Sequence, residues 1–304
     1  MKTANSVLDL IGSTPAVKLN RISRSIKATL YAKLEFLNPS GSIKDRVAKR
    51  MIEEAKRKRV LKPGATLVEP STGNMGIAMS LVASLKGYRA IVVMPRCVSE
   101  ERMKIIRSYG AKIVLTPKED LMMGAIMKAK ELAKEPGHVI LNQFENPANT
   151  DAHRETGKEI LAQIEGRIDA FVASVGTGGT FIGVSETLKK QWPDMKTVAV
   201  EPSKSAVLSG GEPGFHRIEG IGEGFVPELL KPKTHLIDEV VTVEDDEAFD
   251  MARRLIREEG LFAGVSSGAN VYASVQVAKD IGKGNVVTLL PDSADRYFST
   301  ALFE

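Results

Sequence analysis

A lysine at a turn-to-helix junction is the first residue whose setting could serve chemistry. Asn38-Pro39-Ser40-Gly41-Ser42-Ile43-Lys44-Asp45-Arg46 reads as a turn followed by N-cap chemistry, after which Val47, Met51, Ile52 and Ala55 recur at helical spacing. Lys44 therefore falls in a first helical turn, near the positive end of the dipole, against the usual preference of cations for helix C-termini. An amine placed there could form a Schiff base if its pKa fell from ~10.4 to ~7–8, a change of roughly 4 kcal/mol. The dipole supplies at most ~2 kcal/mol, so burial or a neighbouring cofactor must supply the rest. The alternative is a solvated lysine in a lysine-rich helix, and Lys44 alone does not decide between them.

Three glycine loops, each between a strand and a helix, extend the list. Ser71-Thr72-Gly73-Asn74-Met75-Gly76 offers hydroxyls, an amide and backbone N–H groups at a helix start, which suits a carboxylate or another small anion; an ordinary N-cap turn would look the same. Gly176-Thr177-Gly178-Gly179-Thr180 makes a phosphate cup of amides and hydroxyls. It is no dinucleotide fingerprint, because Phe181 stands where a third glycine is needed. It is no Walker loop either, because Val184-Ser185 replaces the Lys-Ser/Thr pair. Gly264-Val265-Ser266-Ser267-Gly268 matches the nucleophile-elbow pattern of hydrolases, whose triad histidine follows the serine. All four histidines (His138, His153, His216 and His235) precede it, so the elbow reading fails and Ser266 reads as a cap or a ligand's hydrogen-bond partner. The histidines lack metal-ligand spacing, Cys97 reads as a bystander thiol, and Glu244-Asp245-Asp246-Glu247 reads as a solvated helix N-terminus.

These loops need a scaffold, and the hydropathy pattern provides one. Strands are expected at 30–36, 66–69, 90–94, 112–115, 170–175, 197–200, 239–243 and 286–290. Helices are expected at 76–85, 100–109, 121–133, 246–259 and 269–279, with one running from the second glycine loop to Lys190. Strand–helix alternation predicts an α/β fold of parallel strands in two doubly wound lobes, with the site where strand C-termini face the cleft. The polar stretch 142–149 reads as an inter-domain passage, and residues 203–224, with six glycines, as a long functional loop. At 304 residues the chain suits two domains, and 43% hydrophobic with 26% charged residues is the composition of a soluble globular enzyme. A net charge of +4, spread along the chain, speaks against a nucleic-acid or membrane partner, and no run approaches a membrane span. A single cysteine excludes an internal disulfide and a cysteine-clustered zinc site, and a cytoplasmic location is expected.

Taken together and in order, eight segments resemble the fold-type II pyridoxal-phosphate enzymes, and within them the cysteine synthases (O-acetylserine sulfhydrylases). They are 12–15, 38–46, 69–76, 143–149, 176–180, 220–225, 264–268 and Arg296-Tyr297. The resemblance implies a large cofactor-binding domain (1–37 and 148–304) and a small mobile domain (38–147) closing over the substrate. It implies that Lys44 holds pyridoxal 5'-phosphate as an internal aldimine and then acts as the α-proton base. Asn74 would bond the pyridine 3′-oxygen, Gly176, Thr177, Gly178, Gly179 and Thr180 would hold the phosphate, and Ser266 would face the pyridine nitrogen. Ser71, Thr72, Met75, Gln143 and Gly220 would form the substrate site. The implied reaction makes L-cysteine from O-acetyl-L-serine and sulfide through an aminoacrylate. The implied assembly is a homodimer, with serine acetyltransferase as a further partner. Met75 replaces the family's usual threonine, and Pro291-Asp292-Ser293-Ala294-Asp295 replaces its common Pro-Ser-Ser-Gly-Glu. Asp292 resembles the cystathionine β-synthase branch, leaving serine, O-phosphoserine and homocysteine as alternative substrates. A non-catalytic amino-acid- or partner-binding homologue is the other reading.

Overall fold

The structure is a computed structural model and describes residues 3–304. In chain order the elements are β1 (Ala16–Lys18), β2 (Thr29–Leu34), α1 (Lys44–Arg57), β3 (Thr66–Pro70), α2 (Asn74–Lys86) and β4 (Arg89–Pro95). Then come α3 (Glu100–Ser108), β5 (Lys112–Thr116), α4 (Leu121–Leu132), β6 (His138–Ile140), α5 (Pro147–Gln163) and β7 (Ala170–Ser174). The chain closes with α6 (Gly179–Lys189), β8 (Lys196–Pro202), β9 (Glu239–Val243), α7 (Asp245–Glu259), α8 (Val265–Ile281) and β10 (Asn285–Leu290). One sheet runs β1-β2-β10-β7-β8-β9 and the other β5-β4-β3-β6. Every pairing is parallel except β1 with β2. Helices cover both faces of each sheet, so β3 is buried at every residue and β7 at four of its five, as two-sided coverage demands. The α/β reading with two mostly parallel sheets holds.

Several boundaries differ from expectation for local reasons. The second strand stops at Leu34 because Glu35 turns inward in a 3₁₀ turn (Glu35–Leu37) and meets Arg46. The polar stretch 142–149 is not wholly a passage. The Asn146 side chain accepts from the Ala148 N–H at 3.0 Å and Pro147 opens the 17-residue α5, which periodicity did not announce. The short strands β1 and β6 were not expected either. The third glycine loop follows helix α7 rather than a strand and forms the first turn of α8, and α2 begins two residues early, at Asn74. Residues 203–224 hold two 3₁₀ turns and are otherwise irregular. The acidic run at 244–247 is not simply solvated: Glu244 and Glu247 form a capping box, while Asp245 is buried against Lys204 (2.7 Å) and Arg217 (3.5 Å).

The core divides with the sheets. Val47, Met51 and Ile52 of α1 pack with Ile77 and Val82 of α2 over the four-stranded sheet. Leu30, Val172, Val198 and Val271 belong to one face of the six-stranded sheet, and Phe171, Phe181 and Leu289 to the other. The start of α1 is tied to the larger sheet, since the Ile43 N–H donates to the Pro291 carbonyl at 2.8 Å and Ser42 bridges to Asp292. Its remaining turns pack in the smaller sheet's core.

Candidate active site

Lys44 is the first residue of α1, and the Ser42 hydroxyl accepts its N–H at 3.3 Å; the expected turn is present, but the N-cap position is Ile43 and carries no side-chain cap. The Lys44 side chain opens into a small chamber of about 50 Å³ that also receives Asn74, Gly176, Thr177, Gly178, Thr180, Gly220 and Ser266. An adjoining chamber of about 40 Å³ shares Lys44, Asn74, Thr177 and Gly220 and adds Ser71, Thr72, Met75 and Gln143. The structure thus brings together every expected site residue except Gly179, which opens α6 and faces Asn149 instead. Met75 lies at the wall and is 1% exposed, its side chain belonging to the core of the smaller sheet.

Burial lowers the Lys44 amine to about 8, against the pull of Glu223 and Glu69. Glu69, on β3, is buried and accepts the N–H groups of Asn142 (2.7 Å) and Gln143 (2.9 Å), which fixes the Gln143 loop beside the chamber. Burial raises its carboxyl, opposed by those two N–H groups and by Lys44. Ser71 accepts the N–H groups of Gly73 and Gly76, both at 3.0 Å, which leaves its own proton free to donate outward. Gln143 gives one of its two amide N–H groups to the Pro70 carbonyl at 3.1 Å, which leaves the other free.

Asn74 is clamped. Its amide donates to Asp292 Oδ2 at 2.7 Å and its carbonyl accepts from Arg296, which also holds the Ser40 carbonyl. Tyr297 donates its hydroxyl to the same Asp292 oxygen at 2.9 Å. The departure at Asp292 therefore sits behind Asn74 rather than in the substrate chamber.

The Gly176–Thr180 cup has no room for side chains at two positions. A Cβ on Gly176 would lie 2.5 Å from the Gly220 carbonyl oxygen, and one on Gly179 would lie 2.1 Å from Asn149 Oδ1. Gly178, at φ +81°, turns the chain so that the N-terminus of α6 faces the chamber. Thr177 accepts from Asn149 at 2.9 Å, and Thr180 pairs with His153 Nε2 at 3.1 Å. His153 is fully buried, and burial, then Lys44 and Arg46, hold its pKa well below the usual value.

Three charged residues of the site were not singled out from the sequence: Glu69, Glu223 and Arg102. Arg102, on α3, is 3% exposed, lies 5.0 Å over the Tyr297 ring and pairs with Glu219 from the long glycine-rich loop. Its signal was its spacing, four residues before the buried Ile106 on one helix face. Cys97 is exposed, at the rim of an outer cleft. Among the described residues no cluster of His, Cys, Asp or Glu is placed to hold a metal ion, and no helix is long and apolar enough to cross a membrane.

The family described as "Pyridoxal-phosphate dependent enzyme" matches residues 7–292. A cysteine synthase of Staphylococcus aureus (strain Mu50) is 50% identical over 305 residues, covering 99% of this chain and 98% of the relative. The crystal structure of O-ureido-L-serine synthase superposes with a TM-score of 0.96 at 44% identity, covering 99% of this chain and 96% of that one. Cysteine synthase from Entamoeba histolytica gives 0.95 at 37% identity, covering 99% and 91%. An O-acetylserine dependent cystathionine beta-synthase from Helicobacter pylori gives 0.95 at 38%, covering 100% of both chains.

The residues present fit the cofactor this family is named for. The Lys44 amine and the Ser266 hydroxyl both face the chamber, and neither has a hydrogen-bond partner among the described residues. The glycine cup presents N–H groups where a phosphate would need them. With family, relatives and chamber in agreement, the chain belongs to the pyridoxal-phosphate dependent enzymes, in their cysteine synthase group.

Proposed function

We propose that the chain catalyses β-replacement on O-acetyl-L-serine, releasing acetate and joining sulfide to Cβ to give L-cysteine. The observation that carries this reading is the unpaired Lys44 amine, lowered to about 8, in a chamber shared with Ser71, Thr72 and Gln143. Bound through Lys44, the cofactor supplies the electron sink that makes the donor's Cα proton acidic. Ser71, Thr72 and Gln143 hold the donor carboxylate, with the Ser71 proton directed outward by its two accepted N–H bonds. Lys44, freed by the donor, takes the Cα proton as acetate leaves and returns a proton to Cα after sulfur has bonded to Cβ. Asn74 and Ser266 orient the ring and Gly176–Thr180 the phosphate. Residues 38–147, which carry all four strands of the smaller sheet, close over the donor against 1–37 and 148–304.

A second acceptor is favoured by one observation. Outside the chambers lies a cleft of about 600 Å³, which accommodates a thiol as large as homocysteine. Homodimerisation, a complex with serine acetyltransferase and a cytoplasmic setting rest on the resemblance and are tested by light scattering, co-purification and fractionation.

The deciding experiment is the visible absorption spectrum of the cofactor-loaded protein, before and after O-acetylserine and then after sulfide. A band that shifts with donor and returns with sulfide is the expected result. A protein that stays colourless after incubation with pyridoxal phosphate overturns the reading, as does a Lys44→Ala variant that retains turnover.

A further inference from the structure

Glu223 is a carboxyl group that none of these steps uses. Its neighbours hold it in place. The Gly222 N–H donates to the Val175 carbonyl at 3.0 Å, and the Gly222 carbonyl accepts from His216 Nε2 at 3.0 Å. On the other side Phe225 packs against Phe144, with ring centroids 5.4 Å apart, beside Gln143. Glu223 lines both the inner chamber and the outer cleft, and so stands where one opens into the other. Among the described residues its carboxylate has no hydrogen bond and no ion pair.

The charged groups sharing this space are Lys44 from α1, Arg102 from α3 and Glu219 from the same loop, with Glu69 of β3 on the far side of Lys44. His216 and Arg217 lie further out along the cleft. Arg102 is engaged by Glu219, so Glu223 answers to burial, which raises it to about 7, and to Lys44, which opposes the rise. A carboxyl in that range exchanges protons readily near neutrality.

We propose that Glu223 is the base for the acceptor in the second half of the β-replacement, and that the acceptor it serves is a neutral alkyl thiol entering through the outer cleft. The proposal rests on the β-replacement reading. The thiol S–H bond breaks, its proton passes to the Glu223 carboxylate, and the sulfur electron pair forms the S–Cβ bond. The Cα–Cβ π pair left by loss of acetate returns to Cα, where the Lys44 ammonium protonates it. Glu223 then gives its proton to solvent along the cleft, and no oxidant or reductant is needed. An alkyl thiol with pKa about 8.5 arrives protonated at neutrality and needs such a base, whereas the hydrosulfide anion does not.

The test follows the loaded enzyme in two stages, O-acetylserine alone and then either homocysteine or sulfide, for wild type, Glu223→Gln and Glu223→Asp. We expect Glu223→Gln to lose about 100-fold in kcat/KM for homocysteine, far less for sulfide, and to lose the rise in rate through about pH 7. Glu223→Asp should recover part of the loss. Equal homocysteine rates in Glu223→Gln and wild type, with the donor response present, overturn this proposal alone. A wild type without a donor response overturns the β-replacement reading as well. Should Glu223→Gln fail to fold, a wild-type homocysteine profile with no rise near neutrality overturns the proposal.

Discussion

Arg46→Met probes what holds the lysine's helix to the larger sheet. The Arg46 guanidinium grips two carboxylates at once: Glu35 at 2.7 and 2.8 Å, and Glu159 at 2.7 Å through two nitrogens. Glu35 is fully buried, and Glu159 is 21% exposed. Methionine keeps much of the aliphatic volume and removes the charge. Glu159 would retain Lys33 at 2.7 Å, but Glu35 would keep only the Thr14 hydroxyl (2.7 Å) and the Asn38 amide (2.9 Å). Stranding one partner of a buried pair costs ~3–5 kcal/mol. A second route gives a similar size. Burial alone would raise the Glu159 carboxyl, yet Arg46, Lys33 and the Ser13 N–H hold it at about 2 against the usual 4.5, which converts to about 3 kcal/mol as the upper limit of the Arg46 share. A depressed carboxyl contributes stability above pH 4.5 and loses it as pH falls towards 2. Denaturant unfolding at pH 7 should therefore show Arg46→Met about 4 kcal/mol less stable, with the gap narrowing below pH 4.5. Adding Glu35→Gln should restore at least about 1 kcal/mol by removing the stranded charge. A single variant losing less than about 1 kcal/mol, or a double variant no more stable than the single, would refute the reasoning.

Covalent loading of the cofactor-free protein should quicken with pH and level off above about 8, because the neutral Lys44 amine is the reactive form; stopped-flow absorbance with no plateau below pH 10, the ordinary lysine range, would contradict this. Met75→Thr should bind O-acetylserine about tenfold more tightly, by a hydroxyl bond to its carboxylate, and cost about 2 kcal/mol of core packing. Spectral titration showing unchanged or weaker binding would refute the first half. Asp292→Ser frees the Asn74 amide and leaves Tyr297 without its acceptor, so cofactor affinity, read by fluorescence titration of the cofactor-free protein, should fall about tenfold. Unaltered affinity would show that Arg296 positions Asn74 alone.

Lys44 and the first two glycine loops were legible because each is punctuation between a strand and a helix, and apolar runs such as 90–94 mark strands, whereas the third loop joins α7 to α8. The long α5 was not, because it packs by close approach rather than by an apolar stripe. A Cβ on Gly157 would lie 2.6 Å from Thr187 of α6, and one on Gly183 of α6 would lie 2.4 Å from the Thr150 carbonyl. The start of α8 was hidden likewise: Ser266, Ser267, Gly268 and Asn270 are polar or small yet buried. A Cβ on Gly268 would lie 2.0 Å from the Ala248 carbonyl of α7, and Asn270 bonds Ser174 and Leu289. The charged wall of the site escaped for a different cause. Glu69, Arg102 and Glu223 come from a strand, a helix and a loop far apart in sequence, and only folding makes them neighbours.

The double attachment of α1 has a geometrical outcome. Ile43 and Arg46 pin its first turn to the six-stranded sheet, while Val47, Met51 and Ile52 bed its later turns in the four-stranded sheet's core. A helix rooted in both bodies acts as an axle, and a point on an axle travels least when the bodies turn about it. Lys44 occupies that point. Thr72 and Arg102, carried further out on the smaller sheet's loops and helices, would sweep through the larger arcs. In the closure proposed for residues 38–147, access to the chamber would change while the Lys44 amine stays in register with the glycine cup.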